Sequence, residues 1–425
     1  MLWRWVSRIV YRPCLLVLAL GVLVAFVDWT LQAAALAYPS ETTSAPEHPY
    51  VILAYDGSGD FGPDTPGTKT SGWQEALDYA VLTGSDLYVK GGYGGGAVYH
   101  IQDTIHFPPA QDFRVDGGVY VLNWIGPADK DLLVIDSSMN CEYHLGILVY
   151  GGLGAAMRIR PEKPVPIDNF PIFVETEIHC QGMADPHPFT PGERQGGTGL
   201  IFDGTAAPIV HNTFRFFGNL NFKTVMETIG TFANNNLEVL HLHTNADKST
   251  LLKLGEQSVR NTLWLAIGVD QGASDVTGIE ISGKNNVIQL LPRPSNKPFA
   301  AGRMLIFDES AEGNQIHIIP EDSSFDLDQN VTDKARTPTN QVTWAGKPAN
   351  IREVTTSAGQ FIYTQRLYSA TVRVVGGTVS SVKLLRSGRM VDYSVAPGVD
   401  ILMSPGDQLQ IESTTAPTIQ IIPLK

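Results

Sequence analysis

Between Thr176 and Gly346 two short patterns alternate at a nearly constant spacing. A regular period of roughly 20–50 residues restricts a chain to stacked repeats. One pattern is a Thr followed five or six residues later by Gly, starting at Thr176, Thr198, Thr224, Thr250 and Thr277 with steps of 22, 26, 26 and 27 residues. The other is an Asn opening a short apolar run, at Asn212, Asn236, Asn261, Asn286, Asn314 and Asn340, with steps of 24, 25, 25, 28 and 26. Within each run the apolar residues alternate, as in Leu263, Leu265 and Ile267, so the repeated unit is a strand with one face inward. Two strand types about half a period apart describe a coil of about 25 residues carrying two or three short strands. Stacked coils pair in parallel, and Asn at equivalent turns can form an amide ladder. An antiparallel sandwich would also space its strands evenly, but its hairpin loops would not keep Thr and Asn in separate phases.

This phasing predicts one internal ladder of Leu200, Met226, Leu252 and Ile279, and a second of Phe202, Thr228, Leu254 and Ile281. It also predicts an outward row of His179, Ile201, Glu227, Lys253 and Glu280. The expected organisation is all-β: a right-handed parallel β-helix over 51–346 and a small antiparallel β module over 347–425, where alternating runs are separated by Gly-Gly, Ser-Gly and Pro-Gly turns. Before the coils, Trp73, Leu77, Ala80 and Val81 fall at helical spacing behind Ser71, which can cap a first turn. Such a helix would cover the open end of a solenoid.

The amino terminus carries Arg4, Arg8 and Arg12, an apolar stretch from Cys14 to Val27, and the small-x-small site Ala35-Leu-Ala37. This reads as a secretory signal over 1–37, or, if uncleaved, as a membrane anchor and tether; a Pro/Ser/Thr-rich linker follows over 38–50. Either reading places the protein outside the cytoplasm, secreted, periplasmic or on the cell surface. Net charge is −13, and loss of residues 1–37, with three Arg and one Asp, leaves −15, which argues against nucleic acid as a partner. Cys180 is expected inside the coil as a buried thiol, with Val149 at the matching position one coil earlier.

Asp56-Gly-Ser-Gly-Asp60, the Trp-Gln-Glu-Ala-Leu helix, Asp86-Leu-Tyr-Val-Lys-Gly-Gly92 and Tyr99-His-Ile101 together resemble the opening of the pectate-lyase-like right-handed parallel β-helix superfamily. The chain departs from that pattern at Pro63-Asp64-Thr65, which lacks a doubled Asp, and at Gly91-Gly-Tyr-Gly94. The resemblance covers about residues 50–105 and implies the fold; its members include lyases, hydrolases, epimerases and non-catalytic spikes, so activity does not follow. Ser404-Pro-Gly-Asp-Gln-Leu and Ala416-Pro-Thr look similar to terminal β modules of phage-type β-helix appendages. Such a module would cap the last coil or mediate homo-oligomer formation.

The densest ionisable cluster is Glu175, Glu177 and His179, expected to alternate along the outer face of one strand. Alternate residues there are about 6.8 Å apart, a spacing usable in glycoside hydrolysis, and a histidine beside them can exchange a proton near neutral pH. Two excursions flank that strand, a proline-rich one at 161–171 and one at 183–197 bearing Asp185, His187, Glu193 and Arg194. The expectation is an exported enzyme that cleaves a polysaccharide, by elimination or hydrolysis, in a groove on the outer face. Glu177 would be acid or base with His179 or Glu175 as its partner, and Asp185, His187, Glu193, Arg194 and Arg215 would contact substrate. The alternative is a non-catalytic spike or adhesion module that binds surface glycans. His241 and His243 share a strand without an evident third ligand, so no metal site is expected. The chain has no phosphate loop, Cys-pair zinc motif, G-x-S-x-G elbow or nicotinamide fingerprint, and its cofactor, if it uses one, is unnamed by the sequence.

Overall fold

The computed structural model describes residues 50–424, except 93–95, 167–168, 187–191, 194–195, 270–272, 294–298, 321–325, 346–349 and 394–397. The segments read as signal or anchor and as linker lie outside the described residues, apart from Tyr50. About nine turns of parallel β-solenoid form, followed by antiparallel sheets. Successive coils alternate between two long sheets. In the first, strands at Glu142–Val149, Glu177–Ala184, Thr213–Phe216, Asn236–Thr244, Thr262–Val269, Val287–Pro292, Gln315–Ile318 and Gln341–Trp344 follow one another as neighbours. In the second, Ala155–Ile159, Thr198–Val210, Thr224–Ala233, Thr250–Leu254, Thr277–Ile281 and Leu305–Phe307 do the same.

Alternation then dictates the core. Leu200, Met226, Leu252, Ile279 and Leu305 are in register on the second sheet, as are Phe202, Thr228, Leu254, Ile281 and Phe307. Both predicted internal ladders therefore form. Facing them, Ile178, Phe214, Leu237, Leu263, Ile288, Ile316 and Val342 line the first sheet, all buried. The sheets meet through rings such as Phe202, whose centroid is 4.7 Å from Phe214 and 4.6 Å from Phe232. Each fully buried Leu, Ile or Phe contributes about 1.5–3 kcal/mol. Thr228 is tolerated inside because its hydroxyl pairs with Ser258 and accepts the Gly255 N–H at 2.8 Å.

The return from second to first sheet is made at one residue in the left-handed region: Glu175, His211, Asn234, Arg260, Asn285 and Gly313 have φ between 50° and 66°. From His211 onward the residue after each of these corners carries the predicted amide ladder, and Thr176, after Glu175, donates its backbone N–H to the first rung. Asn212, Asn235, Asn261, Asn286, Asn314 and Asn340 are buried, and the Nδ2 of each donates to the Oδ1 of the next at 2.9–3.2 Å. The same Oδ1 atoms accept the backbone N–H of the preceding rung, so each carboxamide satisfies corner groups that the tight turn would otherwise strand.

Two phase assignments are corrected. The ladder residue is Asn235, with exposed Asn236 following it. Thr176 belongs to the Asn phase, since its backbone N–H donates to Asn212 Oδ1 at 3.0 Å and its strand lies in the first sheet. Consequently Cys180 pairs in register with Leu145, not Val149, and His179 leaves the row of Ile201, Glu227, Lys253 and Glu280, which forms without it. Cys180 and Cys141 are free, buried thiols, and burial pushes the Cys180 thiol up to about 12.

The helix Trp73–Thr83 covers the first coils, with Trp73 buried against Tyr99 and Tyr120. Ser71 does not cap it. Its hydroxyl donates to His100 O, while Thr70 Oγ1 accepts the Gln74 N–H at 3.0 Å. At the other end two four-stranded antiparallel sheets pack face to face through Leu384, Leu409 and Ile411 from one and Val372, Ile419 and Ile421 from the other. The Ser387-Gly388 turn joins two paired strands and has positive φ at both positions, which suits the strand twist at a two-residue hairpin, whereas Gly376-Gly377, also at positive φ, carries the chain from one sheet to the other.

Candidate active site

On the first sheet the outward residues of adjacent coils form two rows. One runs Arg114, Glu142, Glu177, Thr213 and Asn236; the other runs His144, His179, Arg215 and Glu238, with Asp116 hydrogen-bonded to His144 at its head. Adjacent rungs are about 4.8 Å apart, so five coils bring these ten polar side chains into one stripe. Rigid strands fix each position, and the aromatic or aliphatic residue between each outward pair, such as Tyr143 or Ile178, anchors it in the core.

The two imidazoles at the centre lie side by side, ring centroids 4.9 Å apart, yet their surroundings differ. His144 sits between two carboxylates, its Nδ1 3.2 Å from Asp116 Oδ1 and its Nε2 2.8 Å from Glu142 Oε1. Those partners raise its pKa to about 9, which keeps it an imidazolium at neutral pH. The same contacts hold the Asp116 and Glu142 carboxyls below the usual range, and Arg114 Nε pairs with Glu142 Oε2 at 3.2 Å. His179 is lowered instead, first by burial and then by the positive His144 and Arg215; only Glu177, whose Oε2 is 3.2 Å from Nε2, pulls the other way. The arrangement at neutral pH is one charged and one neutral imidazole, the neutral one touching a half-exposed carboxylate.

Arg215, which sequence alone could not place on the same face as Glu177, stands in register beside His179 and pairs with Glu238 Oε2 at 3.5 Å. Glu175 does not continue the strand. With φ of 50° it is the exposed left-handed corner, and the alternation that would align it with Glu177 requires extended backbone. Asp185 is buried just beyond the strand end, and the backbone of Gly192–Glu193 pairs with Ala246–Asp247, at the opposite end of the first-sheet strands from Glu177. An eight-residue strand therefore separates Asp185 and Glu193 from the cluster, and the described part of that loop does not wall it. His187 and Arg194 lie outside the described residues. The proline-rich excursion leaves the chain on the cluster's side, at the corner before Glu175, where Asp136 Oδ1 accepts the Glu162 and Lys163 N–H groups at 2.8 and 2.9 Å.

Sequence reasoning missed Arg114, Asp116, Glu142 and His144. A signal was available: Glu142-Tyr-His144 repeats the spacing of Glu177-Ile-His179. Elsewhere, His241 lies 5.7 Å from His243 between ring centroids and is drawn down to about 4 by burial, with Arg293 beside it. Among the described residues no group of three His, Cys, Asp or Glu side chains is disposed to hold a metal ion.

No family model matches the chain, and no curated protein matches it. Among solved structures it is similar to the Dettilon tailspike protein gp208, with 11% identity over 88% of this chain and 95% of that one and a TM-score of 0.35. It is also similar to the tailspike protein of Acinetobacter phage vB_ApiP_P1, with 9% identity over 88% and 87% of the chains and a TM-score of 0.29. A double mutant of the E. coli bacteriophage HK620 tailspike matches with 12% identity over 86% and 91% and a TM-score of 0.20. These overlaps are too low to assign fold or function, which rest on the strands and side chains described above.

Proposed function

We propose that this chain is an exported polysaccharide-processing protein that binds its glycan along the outer face of the first sheet and cleaves it by proton transfer at His179 and Glu177. The observation that carries the reading is the neutral imidazole of His179 held between a carboxylate and two cations, His144 and Arg215. A stacked-coil face is open along its length, which suits a polymer. Rigid strands supply the fixed geometry that acid–base catalysis requires.

The protonation pattern favours β-elimination on a uronic acid polymer over hydrolysis. Hydrolysis needs a carboxylic acid that keeps its proton near neutral pH, whereas Asp116 and Glu142 are both held ionised. Elimination needs a neutral base beside cations that offset the uronate carboxylate. In that scheme Nε2–H of His179 donates to Glu177, Nδ1 takes the proton from the carbon next to the carboxylate, and the freed electron pair forms a carbon–carbon double bond. The glycosidic carbon–oxygen bond breaks, and the leaving oxygen is protonated by the new imidazolium or by solvent. Arg215 stabilises the developing negative charge, Glu177 orients the base, and His144, engaged by Asp116 and Glu142, disfavours protonation of His179 in the free protein.

The test is incubation of the full chain with neutral and uronic polysaccharides, read by new reducing ends and by ultraviolet absorbance of unsaturated products. Reducing ends with matching absorbance on a uronic polymer are expected, and both should vanish in His179→Ala. Reducing ends without absorbance would replace elimination by hydrolysis. Binding without either product would leave a glycan-binding spike, a reading favoured by the way Asp116, Glu142 and His144 neutralise one another.

A further inference from the structure

The outward row that carries His144, His179, Arg215 and Glu238 does not stop at Glu238. Its next rung is Trp264, in register with Glu238 on one side and Gln289 on the other, and the row continues to His317 and Thr343. Trp264 is partly exposed on a face whose neighbours in the row are all polar. Among the described residues it makes no ring contact, and its indole Nε1 has no hydrogen-bond partner. The other tryptophans with a described environment differ: Trp73 is buried under the helix against two tyrosines, Trp124 packs on Tyr150, and Trp344 packs on Tyr368. A partly exposed indole on a rigid strand among polar neighbours leaves apolar area wet, area that a ligand ring would cover.

We propose that Trp264 is the stacking platform of a remote sugar subsite, where the indole face covers the C–H face of a pyranose ring, and that the polymer runs along the coil axis from His179 toward Gln289. This rests on the function proposed above and adds its direction and length. Trp264 is three rungs from His179, and at ~4.8 Å per rung the separation is about 14 Å. A pyranose residue advances a chain by about one rung spacing, so the platform is reached only by an oligosaccharide that extends three or four sugars beyond the scissile bond. Arg215 and Glu238, lying between, face the intervening hydroxyls and carboxylates. Gln289 beyond the indole offers an amide to the same sugar.

The experiment compares wild type, Trp264→Ala and Trp264→Phe as full chains. Steady-state kinetics are measured on the uronic polymer, and calorimetry with disaccharides and hexasaccharides of galacturonate, mannuronate–guluronate and glucuronate polymers uses a Glu177→Gln background to prevent turnover. In Trp264→Ala, hexasaccharide affinity should fall about tenfold, the scale of one aromatic contact, with disaccharide affinity unchanged. KM for polymer should rise with kcat unchanged, because the contact is equal in ground and transition states, and Trp264→Phe should recover most of the loss. An unchanged unfolding midpoint separates this from a structural role. Equal loss for both lengths, or none, overturns the platform while leaving cleavage intact; if no oligosaccharide binds wild type, the function reading fails and the subsite with it.

Discussion

Asn235 and Asn236 are chemically identical neighbours, and the structure gives them opposite weights. Asn235 is 1% exposed; its Oδ1 accepts the backbone N–H and the Nδ2 of Asn212, both at 3.0 Å, and its Nδ2 donates to Ile209 O and Asn261 Oδ1. Asn235→Ala removes the acceptor for two buried donors and the donor for a buried carbonyl. Each orphaned group costs about 1–3 kcal/mol, and with partial relief by water the sum is about 3–5 kcal/mol. Asn236 is exposed and its backbone N–H bonds Asn212 O in either variant, so Asn236→Ala should stay within about 0.5 kcal/mol. Guanidinium unfolding followed by circular dichroism, with unfolding rates measured alongside, reads both. Equal effects, or a larger effect at Asn236, would refute the ladder register and with it the position of every side chain on the following strand.

Three further outcomes follow from the same geometry. Glu177→Gln should abolish turnover while leaving folding and glycan binding largely intact, measured by product formation and calorimetry; full activity on a confirmed substrate would remove Glu177 from the chemistry. Because the folded pKa of His144 is raised to about 9, its ion pairs add stability that is fully present below its ordinary value and lost as pH rises through 9. After discounting for solvent, that is about 2 kcal/mol, visible as a pH-dependent unfolding free energy that flattens in His144→Gln. Cys180, buried and with its thiol pushed up to about 12, should react with a thiol reagent only at the rate of unfolding, and rapid labelling of the native chain would contradict its place in the core ladder.

Local alternation and a period near 25 residues made the coil legible, because each strand carries its own inward pattern. Phase failed where that marker was absent. The proline-rich excursion sets Glu142 and Glu177 35 residues apart although they are adjacent rungs, so spacing alone puts Thr176 in the wrong sheet and Arg215 far from His179. Three consecutive asparagines, Asn234 to Asn236, left the ladder ambiguous by one residue. Glu177 and His179 were visible as an i, i+2 pair, but Asp116 and His144 come from coils whose spacing is irregular. Glu142-Tyr-His144 repeats the spacing of Glu177-Ile-His179, but that it stands on the adjacent rung, with a positive charge beside His179, is a property of neighbouring strands. Glu175 misled for the opposite reason: its spacing is right, but a left-handed corner rotates it out of the row.

The claim on which the function rests is that two adjacent imidazoles hold different protonation states at neutral pH. Titrating both by nuclear magnetic resonance in the full chain, with resonances assigned through His144→Gln and His179→Gln, measures it directly. His144 should titrate near 9 and His179 below its ordinary value of 6.5, and His179 should move upward when His144 is replaced. If both rings titrate together near 6.5, His179 is not a selectively neutral base and the proposed chemistry fails.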